Sequence, residues 1–94
     1  MIIDEVQTGF ARTGKMFAIE NYDVEPDIMT MAKALGNGAP ISCFISRSEI
    51  ADKYTRPGAS TLGGNPVSST AGIAVLDYIE EHNLVEKLVF VENN

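Results

Sequence analysis

The chain is short of positive charge, cysteine, histidine and long apolar runs, and each shortage closes off a class of protein. Seven Lys plus Arg stand against thirteen Asp plus Glu, a formal net charge of -6. An extended phosphate backbone would be repelled, so nucleic acid is not an expected partner. One cysteine, Cys43, leaves nothing for an internal disulfide to pair with. Its place in the apolar run Ile41-Ser42-Cys43-Phe44-Ile45 predicts a buried, reduced thiol and a reducing, cytoplasmic compartment. No apolar stretch approaches the ~20 residues that span a bilayer, and the N-terminus lacks the basic region and apolar core of a signal peptide. A soluble protein with no membrane partner is expected. The single histidine, His82, stands among Glu80, Glu81 and Asn83 and reads as a solvated helix-terminal residue favoured by the dipole. No metal site is expected, and there are no internal repeats or low-complexity segments.

What remains is the composition of a globular α/β segment. With 94 residues, 45% of them hydrophobic and 21% charged, the chain has room for one domain. A domain of that size buries only roughly 60 to 65% of its unfolded surface. Met1-Ile2-Ile3 stops abruptly at Asp4 and Glu5, as a buried strand does at its C-terminal end, where parallel sheets bind ligands. Glycines punctuate Thr8 to Gly14, a loop, and residues 15–21 form a candidate short helix. Ile28, Met29 and Met31 lead an apolar strand up to Ala32 and Lys33, against the helical propensity of Met-Ala-Lys-Ala-Leu. After a turn at residues 36–40, residues 41–46 read as a third strand, and Ser48 is positioned to cap a short helix through Tyr54. Residues 57–66 are a second loop, rich in Gly, Ser, Thr and Asn. Asn65 as N-cap and Pro66 at the first helical position open a helix with Val67, Ala71, Ala74, Val75 and Tyr78 on its apolar face, ending near Asn83.

Taken singly, the polar residues are ordinary: a lone lysine is a solvated charge and an Asp after a strand is a turn residue. The set is not ordinary. An acid at one strand end, a lysine at the next, and a hydroxyl-rich loop opening a helix all fall within residues 4–66. In order, Asp4-Glu5-Val6-Gln7-Thr8-Gly9-Phe10-Ala11-Arg12-Thr13-Gly14, Pro26-Asp27-Ile28, Ala32-Lys33-Ala34-Leu35-Gly36-Asn37-Gly38 and Thr61-Leu62-Gly63-Gly64-Asn65-Pro66 resemble the successive signatures of class III pyridoxal-phosphate-dependent aminotransferases. The resemblance runs to about Lys87.

That resemblance implies a fold type I enzyme whose cofactor is pyridoxal 5′-phosphate. It places Lys33 as the catalytic lysine that holds the cofactor as a Schiff base, and Asp4 as the carboxylate that stabilises the protonated pyridine nitrogen. It puts Val6 against one face of the ring, Gln7 near the phenolic oxygen, and Thr61 on the phosphate of the neighbouring subunit's cofactor in a homodimer. The implied reaction moves an amino group from an amino acid or amine to a 2-oxo acid. Within the family, residues 32–40 look closest to the alanine-glyoxylate branch, ahead of the 4-aminobutyrate, ornithine and acetylornithine enzymes.

The chain also departs from the pattern. Family members are several times longer, so the expectation is a fragment of the large domain's central part. Residues 1–47 would carry the strands with Asp4 and Lys33, residues 57–83 the phosphate loop and following helix, and the small domain would be absent. After about Leu88 the sequence departs from the long helix the family would continue. Arg12, between loop glycines, faces either a substrate carboxylate or water. Two other readings stay open: an aminomutase or decarboxylase of the same fold, and a noncatalytic fragment whose exposed strand edges promote association.

Overall fold

The computed structural model describes residues 1–92. Three short strands form one mixed sheet in the order β1-β2-β3: β1 (Ile2–Asp4), β2 (Ile28–Met31) and β3 (Cys43–Ser46). β1 runs parallel to β2 with Ile2 opposite Ile28, Ile3 opposite Met29 and Asp4 opposite Thr30. β3 is antiparallel to β2, so only one of the two pairings is parallel. The sequence pattern of β2 explains its central place: Met29 and Met31 alternate inward into the core, while Ile28 and Thr30 are half-buried on the other side.

Between β1 and β2 a 3-10 helix, Ala18–Tyr22, stands where the short helix was expected, three residues later. A single 3-10 turn, Lys33–Leu35, follows β2. Beyond β3 come α1 (Ser48–Ala51), α2 (Pro66–Glu81) and α3 (Leu84–Glu92). Arg47 takes the N-cap position of α1 and no side chain caps that helix, contrary to the role expected of Ser48. Arg47 instead bonds Asp27 through Nε at 3.0 Å, tying the end of β3 to the start of β2. The Met1 ammonium, and then Arg47, hold the Asp27 carboxyl below its usual range.

α2 begins as the sequence predicts. Asn65 Oδ1 accepts the Ser68 N–H at 2.9 Å, and Pro66 fills the first turn. It ends at Glu81, with Asn83 in the left-handed conformation (φ 49°) before α3 sets off. Its buried face is displaced from the expected one: Ser68, Gly72 and Ile79 are buried, whereas Val67 and Tyr78 are exposed. Small residues make the contact. A Cβ at Gly72 would lie 3.4 Å from Ile41 Cδ1 and 3.8 Å from Leu35 Cδ1, so the helix packs closely over the turn that follows β2. The core is Phe10, Ala11, Met29, Met31, Leu35 and Ile79, with Phe17 edge-on to Phe10 at 5.5 Å between ring centroids.

Cys43 corrects an expectation, for its thiol is exposed and free rather than buried. Among the described residues β3 pairs only with β2, and Phe44 and Ile45 beside the cysteine are also uncovered, so the apolar run is not buried within this chain. Among the described residues no helix is long and apolar enough to cross a membrane.

Candidate active site

The carboxyl ends of β1 and β2 lie side by side, because parallel pairing sets Asp4 opposite Thr30 and leaves Lys33 three residues further along. Each end turns sharply. After Asp4 the Glu5 N–H still bonds Thr30 O at 2.9 Å, and the chain then reverses through a turn in which the Gly9 N–H bonds Glu5 O at 3.0 Å. Gly9 is required there, since a Cβ would sit 2.9 Å from Glu5 O and 3.3 Å from the Phe17 ring. Asp4 Oδ1 accepts the Val6 N–H at 2.9 Å, which orients its carboxylate beside the strand end.

At the end of β2, Lys33 adopts φ 46°, the left-handed region that a lysine rarely occupies. Local strain of this kind persists only where the surroundings impose it, and it gathers at functional sites. Here the next turn imposes it. Gly36 packs so tightly that a Cβ would lie 2.1 Å from Ala39 O, and the Ala39 N–H bonds Gly36 O at 3.1 Å. Lys33 Nζ donates to Gln7 Oε1 at 3.2 Å, joining the loops after the two parallel strands.

Glu5 is the residue whose importance the sequence reading passed over. It is the largest fully buried side chain, 1% exposed. Its carboxylate accepts from the Thr8 hydroxyl and, through Oε2, from the Ile19 N–H at 3.1 Å. Phe17, the N-cap of the Ala18–Tyr22 helix, offers no capping side chain, and Glu5 supplies that acceptor from fourteen residues away. The loop carrying Asp4 and Gln7 is thereby fastened to the body of the molecule. A signal was present in the two consecutive acids: neighbouring strand residues face opposite sides, so when Asp4 faces out Glu5 faces in.

The structure thus sets Asp4 and Lys33 at or just beyond the carboxyl ends of adjacent parallel strands, bonds Val6 to Asp4 and bonds Gln7 to Lys33. Arg12 joins them, lining a depression of about 270 Å³ with Gln7, Lys33 and Ala34. Thr61 is not brought to them within one chain. It is exposed in the loop before α2, where Ser60 Oγ accepts the Gly63 N–H at 3.0 Å and Asn65 Nδ2 donates to Leu62 O at 2.9 Å. A larger hollow, about 670 Å³, lies between α2 and the turn after β2 and is lined mainly by alanine and apolar side chains. It contains neither Asp4 nor Lys33, so the chemistry is assigned to the strand ends and not to the roomier cavity.

An amine and a carboxylate at adjacent strand ends, with an amide between them, can hold an aldehyde-bearing heteroaromatic ring: the amine takes the aldehyde and the acid a ring nitrogen. Comparison with known proteins identifies the family. Residues 1–93 match the family model described as aminotransferase class-III. An acetylornithine aminotransferase of Archaeoglobus fulgidus is 51% identical over 92% of this chain and 23% of its own length. A leucine/methionine racemase of Thermococcus litoralis is 52% identical over 93% of this chain and 20% of its own. The crystal structure of an acetylornithine aminotransferase from Elizabethkingia anophelis superposes with a TM-score of 0.90 at 42% identity, covering 98% of this chain and 23% of that one. The chain therefore spans about a fifth of the length of the relatives it matches. The family match continues past Leu88, and α3 remains helical to Glu92, so the divergence expected of the tail is not seen in the described residues.

Proposed function

We propose, from the premise that this chain belongs to the class III aminotransferase family, that it supplies the cofactor-holding floor of a pyridoxal-phosphate-dependent transaminase. The observation that carries this reading is the pairing of Lys33 and Asp4 at the carboxyl ends of neighbouring parallel strands, with Gln7 bonded to the lysine. Pyridoxal phosphate, when bound, supplies a ring that delocalises the electron pair left on the substrate's α-carbon. Lys33 would hold the cofactor through its aldehyde, and its Nζ is the amine that would move a proton at the substrate's α-carbon. Asp4 keeps the pyridine nitrogen protonated, and its bond from the Val6 N–H holds the carboxylate in place for that task. Gln7 has an amide NH2 to donate to the phenolic oxygen, and Val6 packs on the ring face.

The same reading makes the chain the central part of the large domain of a fold type I enzyme, in which β3 is an antiparallel member of a mostly parallel sheet. Residues 1–47 carry the two strand-end residues, and residues 57–83 the phosphate loop with its helix. Thr61 serves the cofactor of a neighbouring subunit in a homodimer; its exposure supports that assignment. A reducing compartment such as the cytoplasm suits an exposed, unpaired Cys43. Acetylornithine and leucine/methionine relatives match almost equally well, so identity does not choose the substrate.

The second relative favours one competing reading, a racemase using the same lysine. The full-length protein should release oxo acid from an amino donor beyond one equivalent per site only when a second 2-oxo acid accepts the amine. Inversion of the donor's configuration without any acceptor would replace transamination with racemisation.

A further inference from the structure

Glu5 is buried, yet it takes no direct part in the chemistry assigned to Asp4, Gln7 and Lys33. None of the ion pairs among the described residues includes it, so no such pair offsets the cost of withdrawing a carboxylate from water. Two neutral donors satisfy it instead. One oxygen accepts from the Thr8 hydroxyl and the other from the Ile19 N–H at 3.1 Å, so a single side chain spans the turn after β1 and the helix Ala18–Tyr22.

That span closes on Gln7. Only Val6 and Gln7 stand between Glu5 and Thr8, and the backbone on either side is fixed: the Glu5 N–H bonds Thr30 O at 2.9 Å and the Gly9 N–H bonds Glu5 O at 3.0 Å. Gly9 in turn lies against the Phe17 ring, which a Cβ would approach to 3.3 Å. Gln7 itself is exposed; its Oε1 accepts from Lys33 Nζ at 3.2 Å, which leaves the amide NH2 to donate elsewhere. Where that amide stands is decided beneath it, by the buried carboxylate and the turn it locks.

We infer that Glu5 is a positioning residue for the lysine-centred reaction: from the buried side of the turn it holds the Gln7 amide on the cofactor's phenolic oxygen. The inference rests on the reading proposed above and adds to it a residue that touches neither cofactor nor substrate. A hydrogen bond donated to that oxygen draws charge from it. Loss of the donor makes the oxygen more basic and raises the pH at which the bound cofactor gives up its proton. Charge alone acts the other way, since removing a negative group nearby makes a proton easier to lose. The other charged groups about Gln7 are Lys33 and Arg12, which share its wall, and Asp4 at the neighbouring strand end; none of them is altered by a substitution at Glu5.

In the full-length protein loaded with pyridoxal phosphate, the pH midpoint of the cofactor's absorbance is titrated for Glu5→Ala, Glu5→Gln, Thr8→Val and Gln7→Ala, alongside the melting temperature of each cofactor-free protein. Glu5→Ala and Gln7→Ala should each raise the midpoint by about 0.4 to 1 pH unit, the worth of one hydrogen bond. Glu5→Gln, whose amide serves Ile19 and Thr8 alike, should stay within about 0.2 unit of wild type, and Glu5→Ala should add no more than that to Gln7→Ala. Thr8→Val keeps the shape of the side chain and loses its donor. It should raise the midpoint by more than about 0.2 unit, and it decides the matter if Glu5→Ala does not fold. A lower melting temperature with an unmoved midpoint would make Glu5 a structural residue only and overturn the inference. A lowered midpoint in both Glu5 variants would assign the effect to charge and overturn it as well. An unmoved midpoint in Gln7→Ala would overturn the inference together with the Gln7 contact, and a Lys33→Ala protein that keeps the wild-type absorbance would sink the lysine reading and the inference with it.

Discussion

The left-handed backbone at Lys33 gives a prediction independent of any ligand. Lys33→Ala and Lys33→Gly both remove the amine and its bond to Gln7, so comparing the two isolates the backbone. With φ at 46°, alanine keeps a conformation that costs an L-residue about 1–2 kcal/mol, and glycine adopts it freely. Against this relief stands the greater freedom of glycine in the unfolded chain, about 0.4–1 kcal/mol. Taken at the middle of both ranges, the difference leaves Lys33→Gly about 0.8 kcal/mol more stable than Lys33→Ala. For a domain of this size that is a rise of about 2–8 °C in melting temperature, read by circular dichroism and checked by urea denaturation without cofactor. Lys87, exposed within α3, supplies the opposite case. There the glycine variant should be the less stable one by about 1 kcal/mol, from helix propensity. Equal stability of the two Lys33 variants, or an advantage for alanine, would refute the idea that the site stores strain in its lysine.

Truncating Glu5 to Ala leaves the Ile19 N–H and the Thr8 hydroxyl without their buried acceptor and should cost about 1–3 kcal/mol in denaturant unfolding. Glu5→Gln, which keeps an acceptor for Ile19 and a donor for Thr8, should recover most of that loss. Gly36→Ala forces a Cβ against Ala39 O and should destabilise by about 1–3 kcal/mol, with the turn behind Lys33 displaced. Asn65→Ala removes the cap of α2 and should cost about 1 kcal/mol, seen as a lower thermal midpoint. In the full-length enzyme, Asp4→Asn should retain the cofactor on Lys33 yet lower turnover at least tenfold; an unchanged rate would remove Asp4 from the ring nitrogen.

How much of this was legible beforehand depended on how local the cause was. The strand ends at Asp4 and Lys33 are marked by apolar runs that stop at charge, and Asn65-Pro66 announces a helix by its own capping chemistry. The face of α2 differs from the expected one because counting apolar residues overlooks the buried Ser68 and Gly72, and the lack of a side chain at Gly72 is what permits close packing on Ile41 and Leu35. Cys43 was misread for a related reason: an apolar run predicts burial only where something covers it, and β3 is an edge. The tail beyond Leu88 stays helical to Glu92 although Val89 and Val91 disfavour helix intrinsically, a preference of about a few tenths of a kcal/mol that context overrides. Gln7 meets Lys33, and Asp4 stands at the neighbouring strand end, through a parallel pairing that no local pattern encodes. Thr61 is exposed in its loop, and a single chain offers no contact from which the role proposed for it in a neighbouring subunit could be read.

The central claim is that Lys33 Nζ takes the aldehyde of pyridoxal phosphate. The most direct measurement incubates the full-length enzyme with the cofactor, reduces the adduct with borohydride, and maps the labelled peptide by mass spectrometry. The account predicts a phosphopyridoxyl group on Lys33 and no such label in Lys33→Ala; a label on Lys15, Lys53 or Lys87 with Lys33 unmodified would contradict it.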